Sequence, residues 1–196
     1  MTTPSALSTA KAALRREIIQ RRDALDATAR TAANTCITDQ IRSLECYQRA
    51  RCVLAYASMG SEFDTAALLS LVITTKKLAL PRVDRANRML QLFFVKNLES
   101  DLQPGIWGIR EPRPDRCTAA LPSEIDLVLA PGVAFTRHGD RLGYGAGYYD
   151  RLIGGFAARP AVVAAAFDTQ IVNDVPLSTT DQPVDAVVTE SAIYRR

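Results

Sequence analysis

Short segments of almost wholly apolar residues constrain the fold of this chain more than any other feature. They are RCVLAYA at 51–57, IDLVLA at 125–130, AVVAAAF at 161–167 and AVVT at 186–189. None of them alternates polar and apolar residues as a half-exposed strand does, which is typical of strands buried on both faces. Segments with helical spacing lie between them. The sequence therefore predicts one α/β domain over residues 1–196, with an open, mainly parallel sheet and helices on both faces.

Helical spacing is clearest near the N-terminus, over residues 7–25. Ser8 or Thr9 suits the N-cap position of this helix. The apolar positions fall within about 40° of one another around the helix axis, as expected for a face that packs on a core. The cations Lys11, Arg15 and Arg22 lie together on the adjacent flank. The apolar positions are Leu7, Leu14, Ile18 and Leu25.

The rest of the chain continues the alternation of helices and strands. We predict further helices over 29–44, over 64–74 and before Arg159, and further strands over 77–80 and 89–95. Between 101 and 122, prolines and glycines predict a long irregular connection, a kind of segment that is often functional or mobile.

Composition excludes several classes of protein. The 24 Lys and Arg residues nearly balance the 21 Asp and Glu residues, so neither a nucleic-acid arm nor a polybasic membrane patch is expected. No apolar run approaches the roughly 18 to 20 residues of a membrane-spanning helix. The first residues lack the apolar core of a secretory signal. We therefore expect a cytoplasmic monomer that binds a small molecule and neither nucleic acid nor membrane.

Cysteine and histidine are too sparse for a zinc site. The four cysteines contain no Cys-x-x-Cys pair, and His138 is the only histidine. We expect free thiols in a reducing compartment, and oxygen ligands for any bound metal. One histidine and no Gly-x-Ser-x-Gly elbow also give serine-hydrolase chemistry little support.

The stretch RLGYGAGYYDR at 141–151 is the strongest candidate for a ligand-binding loop. It follows the strand at 125–130 and precedes a predicted helix, which places it near the carboxyl end of the sheet, where open α/β folds bind ligands. Alternate glycines can expose several backbone N–H groups to a phosphate, and Arg141 and Arg151 add charge on either side. The pattern is neither a Rossmann nor a Walker motif. A turn that uses glycine for left-handed backbone angles explains it equally well.

Other candidate residues have two interpretations each. Asp150 can hold Mg²⁺ or can stabilise the start of a helix, and Asp181 reads as an exposed loop acid. Lys11 and Arg15 can bind an anion together, although a solvated helix face is the simpler interpretation. Glu62 can bind a donor-rich heterocycle or support the following helix. Trp107 can stack on a flat ligand or pack in a small core.

Six ordered blocks give the chain a resemblance to a known family. The segment DLVLAPGVAFTRHGDRLGYGAGYYDRL closely resembles the signature of the 5-formyltetrahydrofolate cyclo-ligase family. The other blocks that resemble the family are KAALRREIIQRRDAL, YASMGSEFDT, LPRV, WGIREP and DQPVDAVVTE. The resemblance implies a fold similar to the phosphosugar isomerase and CoA-transferase group. It also implies a reaction in which 5-formyltetrahydrofolate, with or without a polyglutamate tail, and MgATP give 5,10-methenyltetrahydrofolate, ADP and phosphate.

The resemblance also implies a role for each matching position. Implied catalytic residues are Arg141, Tyr148 and Asp150, and the implied magnesium ligands are Asp150 and Asp181. Implied ATP contacts are Lys11, Arg15, Arg141, Leu142, Gly143, Tyr144, Gly145, Ala146, Gly147, Tyr148 and Tyr149. Implied folate contacts are Met59, Glu62, Trp107, Tyr144, Gly145, Gly147 and Tyr148.

Ala146 departs from the family pattern, because relatives often carry lysine or glycine there. If such a lysine neutralises the γ-phosphate, this chain must use Arg141, Lys11 or the metal instead. Two other functions stay open at this point. One is a sugar-phosphate isomerase of the same fold group, which needs no ATP; the other is a folate or nucleotide sensor that has lost turnover.

Overall fold

The computed structural model describes residues 5–196, except for the side chain of Trp107, and these residues form five α-helices and thirteen strands. The helices are α1 (Ala6–Asp23), α2 (Ala27–Ser43), α3 (Glu45–Arg49), α4 (Ala66–Thr75) and α5 (Tyr148–Gly154). The strands are β1 (Cys52–Leu54), β2 (Lys77–Asp84), β3 (Met89–Val95), β4 (Leu102–Pro104), β5 (Arg110–Pro112), β6 (Thr118–Ala119), β7 (Leu127–Leu129), β8 (Ala134–Thr136), β9 (Arg141–Leu142), β10 (Ala161–Ala165), β11 (Ile171–Val172), β12 (Ala186–Val188) and β13 (Ile193–Arg195). Within this described range, no helix is both long and apolar enough to cross a membrane.

The central sheet has eight strands in the order β13-β12-β10-β7-β1-β2-β3-β6. The five inner strands, from β12 to β2, are all parallel to one another. Both edges are antiparallel, with β13 on one side and β3 and β6 on the other. The predicted α/β fold with an open, mainly parallel sheet is therefore confirmed.

Both faces of the sheet are buried, which explains the uniformly apolar strands. In β7, Leu127 and Leu129 face one core and Val128 faces the other. Helices α2, α3 and α4 cover the first face, and Ile153 of α5 packs on the second. Because adjacent residues of a strand point to opposite faces, both sets must be apolar.

A second, smaller sheet positions α1. Its strands run in the order β11-β8-β9. Ile18 of α1 is fully buried and packs in a cluster with Val133, Ala134 and Leu142. Since Leu142 belongs to the glycine-rich stretch, this packing brings the N-terminal helix to that stretch.

The structure corrects the prediction that 101–122 is irregular. Strands β4 and β5 pair as an antiparallel hairpin, joined by one turn of 3₁₀-helix (Ile106–Gly108), and β6 joins the edge of the central sheet. These pairings involve only two or three residues each, too few to produce a periodic pattern. Prolines are tolerated because Pro104 and Pro112 stand at strand ends.

The strand predicted to end before Pro81 also needs correction, because β2 continues to Asp84. The N–H and C=O groups of residues two apart in a strand point to the same side, so Pro81 and Ala79 both face β1. Strand β1 ends at Leu54, opposite Ala79. The missing N–H of Pro81 therefore falls where β2 has no neighbour on that side, and pairing with β3 on the other side continues.

Two details of the first helix differ from the prediction. The N-cap is Ser5, whose side chain accepts a hydrogen bond from the Ser8 N–H, so neither Ser8 nor Thr9 caps the helix. Leu7 is not part of the core and keeps 37% of its surface exposed. The helix begins before Leu7, and its first turn extends beyond the cluster that buries Ile18.

Candidate functional site

A cavity of about 1310 Å³ lies at the carboxyl ends of β1, β2 and β7. Cavities that hold one small ligand usually have roughly 300 to 1,000 Å³, so this one has room for two. All the predicted site residues line it except Trp107, whose side chain lies outside the described part of the structure. They are Lys11, Arg15, Met59, Glu62, Arg141, Leu142, Gly143, Tyr144, Gly145, Ala146, Gly147, Tyr148, Tyr149, Asp150 and Asp181.

The glycine loop, defined here as residues 143–147, connects β9 to α5. Gly145 and Gly147 have φ angles of +105° and +68°, in the left-handed region that favours glycine. A Cβ atom on Gly145 would also lie 3.3 Å from Cζ of Arg15. The left-handed angles confirm the interpretation of these glycines as a turn, and the loop also lets a cation approach its backbone. Phosphate binding by the loop stays a prediction.

The cationic flank of α1 faces the cavity, so the interpretation of Lys11 and Arg15 as a solvated face is wrong. Nε of Arg15 donates to the carbonyl oxygen of Gly143 at 2.7 Å. Lys11 forms an ion pair with Asp181, and its side chain is only 13% exposed. Burial lowers the pKa of Arg15, an effect that the charge of Asp181 opposes. The N-terminal helix thus supplies two cations to one wall of the cavity.

Arg141 lies beneath the glycine loop and is not an exposed cation. Its side chain is 2% exposed and donates to the Pro131 carbonyl at 3.2 Å and to Oδ1 of Asp150 at 2.5 Å. Two buried donors that line the same cavity, Nε of Arg141 and the hydroxyl of Tyr149, have no partner among the described residues. Buried donors of this kind suit the oxygen atoms of a bound anion.

The two predicted metal ligands lie close together, because the N–H of Gln182, the residue after Asp181, donates to Oδ1 of Asp150 at 3.0 Å. Burial favours a higher pKa for Asp181, but Lys11 and Ser178 outweigh it and hold this pKa below its ordinary value. The hydrogen bonds to Asp150 from Arg141 and Gln182 both go to Oδ1, and those to Asp181 from Lys11 and the Ser178 N–H both go to Oδ2.

This pair of acids fits a magnesium ion only if the other ligands come from elsewhere. No group of three or more His, Cys, Asp or Glu residues within 5–196 is arranged to hold a metal. Mg²⁺ usually binds one or two carboxylates and takes its remaining ligands from water and phosphate. Two neighbouring carboxylates that line the same cavity as the glycine loop match that pattern.

Another part of the cavity wall carries a buried carboxylate. Glu62 is 8% exposed, and burial raises the pKa of its carboxyl group. Its Oε2 accepts from the Met59 N–H at 2.7 Å, and its Oε1 accepts from the Tyr144 hydroxyl at 2.5 Å. Because each oxygen can accept a further hydrogen bond, Glu62 can bind two neighbouring donors of a ligand.

Several residues in the cavity or in contact with its lining were missed in the sequence. Arg22 lies on the cationic flank of α1 and donates from Nη1 to the Tyr144 hydroxyl at 3.0 Å, so its helical spacing was a usable signal. Glu111 is 6% exposed and lines the cavity from the hairpin, within the block WGIREP. Arg88 lines it with a φ of +54°, for which the sequence gives no signal.

Comparisons with known proteins agree on one family. A model described as the 5-formyltetrahydrofolate cyclo-ligase family matches residues 7–190. The chain is 32% identical to the mitochondrial 5-formyltetrahydrofolate cyclo-ligase of Arabidopsis thaliana, over 87% of this chain and 70% of that protein. It is 30% identical to the 5-formyltetrahydrofolate cyclo-ligase of Mus musculus, over 95% and 96%. The solved structure of Aquifex aeolicus 5,10-methenyltetrahydrofolate synthetase matches with a TM-score of 0.83 at 31% identity, covering 94% of this chain and 92% of that one.

Proposed function

Because the chain belongs to the 5-formyltetrahydrofolate cyclo-ligase family, a family of enzymes, we propose that it converts 5-formyltetrahydrofolate and ATP to 5,10-methenyltetrahydrofolate, ADP and phosphate. One observation carries this proposal. A single cavity of about 1310 Å³ combines a glycine loop and cations on one wall with a buried carboxylate on the other. A nucleotide and a donor-rich heterocycle can therefore bind side by side.

The chemistry explains why two ligands are needed. A formamide oxygen is a poor leaving group, so the second folate nitrogen cannot expel it unaided. ATP supplies the phosphoryl group that turns this oxygen into a leaving group, after which the ring closes and phosphate departs. Such a reaction depends on positioning and on neutralising charge more than on a covalent enzyme group.

We assign the phosphate side to the glycine loop and its neighbours. We propose that N–H groups of 143–147 bind the phosphates, with Arg15, Arg141 and Arg151 as the neighbouring positive charges. Arg141 holds Asp150 and offers its unpaired Nε from below. Since Ala146 brings no charge to the loop, we propose that Arg15 and Lys11 supply it. Tyr148, at the first position of α5, lies beside Arg151 and would flank the formyl group.

We propose that Glu62 and Met59 bind the folate ring, with Tyr144 between the two substrates. Mg²⁺ would be held by Asp150 and Asp181, where it would neutralise phosphate charge. Lys11 and Arg141 compete for the same carboxylates, so binding of the ion would loosen these ion pairs. Lys11 and Arg141 would then be able to bind the phosphates as well.

One assay tests the reaction. The protein is mixed with 5-formyltetrahydrofolate, ATP and Mg²⁺, and the near-ultraviolet absorbance of the methenyl product is followed together with ADP release. We expect both signals to rise together and to need both substrates. Binding of folate or nucleotide without turnover would support the sensor. Isomerisation of a sugar phosphate without ATP would support the isomerase.

The metal assignment needs a variant that spares the buried Arg141. Asp181→Asn keeps the shape of the side chain and should raise the Mg²⁺ concentration for half-maximal activity about tenfold, because a neutral amide is a weaker ligand. Asp115→Asn is the control, since Asp115 forms an exposed ion pair with Arg113. An unchanged Mg²⁺ requirement in Asp181→Asn would place the ion elsewhere.

We further propose that the protein is a cytoplasmic monomer built as one domain. Four free cysteines support a reducing compartment. Light scattering at assay concentration tests the monomer, and a mass of twice 21.4 kDa would contradict it.

A further inference from the structure

Arg22 connects the N-terminal helix to both walls of the cavity. Arg22 belongs to the last turn of α1 and is buried, with 4% of the residue exposed. Nε donates to the Ser61 hydroxyl at 2.9 Å, and Nη1 donates to the Tyr144 hydroxyl at 3.0 Å. The two acceptors belong to different walls, because Ser61 precedes Glu62 and Tyr144 belongs to the glycine loop.

These contacts fix the direction of the hydrogen bonds around Tyr144. Arginine can only donate, so the Tyr144 oxygen must accept from Arg22. The hydroxyl proton is then directed to Oε1 of Glu62, at 2.5 Å. A phenol with 39% exposure is thereby held on a carboxylate with 8% exposure. The resulting chain, Arg22 to Tyr144 to Glu62, joins three separate segments of the sequence.

The chain of hydrogen bonds also determines what Glu62 offers a ligand. With Tyr144 and the Met59 N–H each occupying one lone pair, the remaining lone pairs of the two oxygens are directed away from both donors. Without Arg22, the Tyr144 hydroxyl can rotate or move away from Glu62. The glycine loop then loses one of its contacts with the segment that carries Ser61 and Glu62. The carboxylate then faces a ligand without a fixed orientation.

We propose that Arg22 is a positioning residue for the folate substrate, which acts through Tyr144 to hold the glycine loop against Glu62. The proposal rests on the proposed function for the identity of the substrate. It assigns Arg22 no contact with ATP, unlike Arg15 and Lys11 on the same helix flank. Recognition of the heterocycle therefore depends on the position of Tyr144, which Arg22 fixes.

A double-mutant cycle tests this coupling. Arg22→Met and Tyr144→Phe should each raise the KM for 5-formyltetrahydrofolate about tenfold, as expected for a lost hydrogen bond to a charged group, while the KM for ATP changes less than about twofold. The double variant should show about the same tenfold increase, because either substitution already breaks the chain. An increase of about a hundredfold would mean that the two residues act independently, and would overturn the proposal.

The controls separate positioning from folding. Arg21→Met removes the neighbouring exposed arginine, which pairs with Glu17, and should leave both KM values unchanged. Arg22→Lys keeps the charge and one donor, and should recover part of the folate affinity. If Arg22→Met does not fold, the cycle is run with Arg22→Lys, and the same non-additivity is expected. Equal losses for folate and ATP would indicate a merely structural role and contradict the proposal.

A second readout does not depend on catalysis. The pKa of Glu62 is measured by carboxyl ¹³C NMR in the protein without ligands. The titratable groups that interact with Glu62 are Arg22 of α1, Tyr56 after β1, Tyr144 of the glycine loop and Tyr149 of α5. Burial raises the Glu62 pKa, whereas Tyr144 and Arg22 lower it. Tyr144→Phe and Arg22→Met should therefore raise the pKa further, and Arg21→Met should not. If the wild-type protein is inactive but both variants raise the Glu62 pKa, only the proposed reaction is refuted. If neither variant changes the Glu62 pKa, the positioning role of Arg22 is refuted.

Discussion

At the scale of single residues, a side chain at Gly145 would disturb both the glycine loop and a neighbouring cation. The φ of +105° at this position is strained for any residue with a Cβ, and a Cβ would press on the Arg15 guanidinium. A glycine here therefore serves the backbone and a neighbouring cation together. Gly108 offers a comparison, because it has a φ of +76° but nothing within 4 Å of its Cβ position.

We expect Gly145→Ala to raise the KM for ATP about tenfold, because the displaced guanidinium and the strained loop both disturb the phosphate side. Gly108→Ala carries a similar backbone cost, about 1 kcal/mol, and should leave the KM for ATP unchanged. Steady-state kinetics of both variants distinguish the two effects. Equal KM values for the two would show that the Arg15 contact is unimportant.

At the scale of elements, helix α1 forms one wall of the cavity. Ile18 attaches it to β8 and β9, and its flank then presents Lys11 and Arg15 to the cavity, while Arg22 contacts Tyr144. The helix itself starts from a single side-chain cap, Ser5. Its position therefore depends on the packing of one apolar face.

Ile18→Ala should lower the free energy of unfolding by about 3 kcal/mol, because the side chain is fully buried and leaves a cavity. The KM for ATP should rise as well, since the cations move with the helix. Chemical denaturation measures the first effect and steady-state kinetics the second. Leu121→Ala is the control: Leu121 is 62% exposed, so its loss should cost less than about 0.5 kcal/mol. A normal KM in Ile18→Ala would show that α1 keeps its place without this contact.

The elements also indicate how far sequence reasoning reaches. Strand β3 was predicted to the residue, because Met89–Val95 alternates along one half-exposed edge. Strand β2 was cut short at Pro81, because the end of β1 cannot be read from local sequence. The hairpin of β4 and β5 left no periodic signal. Lys11 and Arg15 were found by resemblance, whereas the contact of Arg22 with Tyr144 joins positions 122 residues apart, which no local pattern records.

At the scale of the whole molecule, the cavity is built from both ends of the chain. Lys11 near the start pairs with Asp181 near the end, and β1 lies at the centre of the sheet between β7 and β2. Removing either end would open the cavity and expose the sheet. This arrangement supports the proposal of one domain, because its elements depend on distant segments.

We therefore expect one cooperative thermal transition, with far- and near-ultraviolet circular dichroism changing together. Adding ATP and folate at about 100 times their dissociation constants should stabilise the protein by about 2.7 kcal/mol for each independent site. Two separated transitions would contradict the one-domain proposal. If only one of the two ligands stabilised the protein, the proposal of a site for two substrates would be contradicted.

The attachment of α1 has a consequence for how the molecule is made. Arg15 and its acceptor on Gly143 are separated by 128 residues, and Arg22 and Tyr144 by 122. During synthesis, α1 leaves the ribosome long before the surface that it packs on, which includes Val133 and Leu142. Until then its apolar face stays exposed. Loop closure of this length is slow, so the site is completed late, and a prematurely terminated chain has no phosphate site.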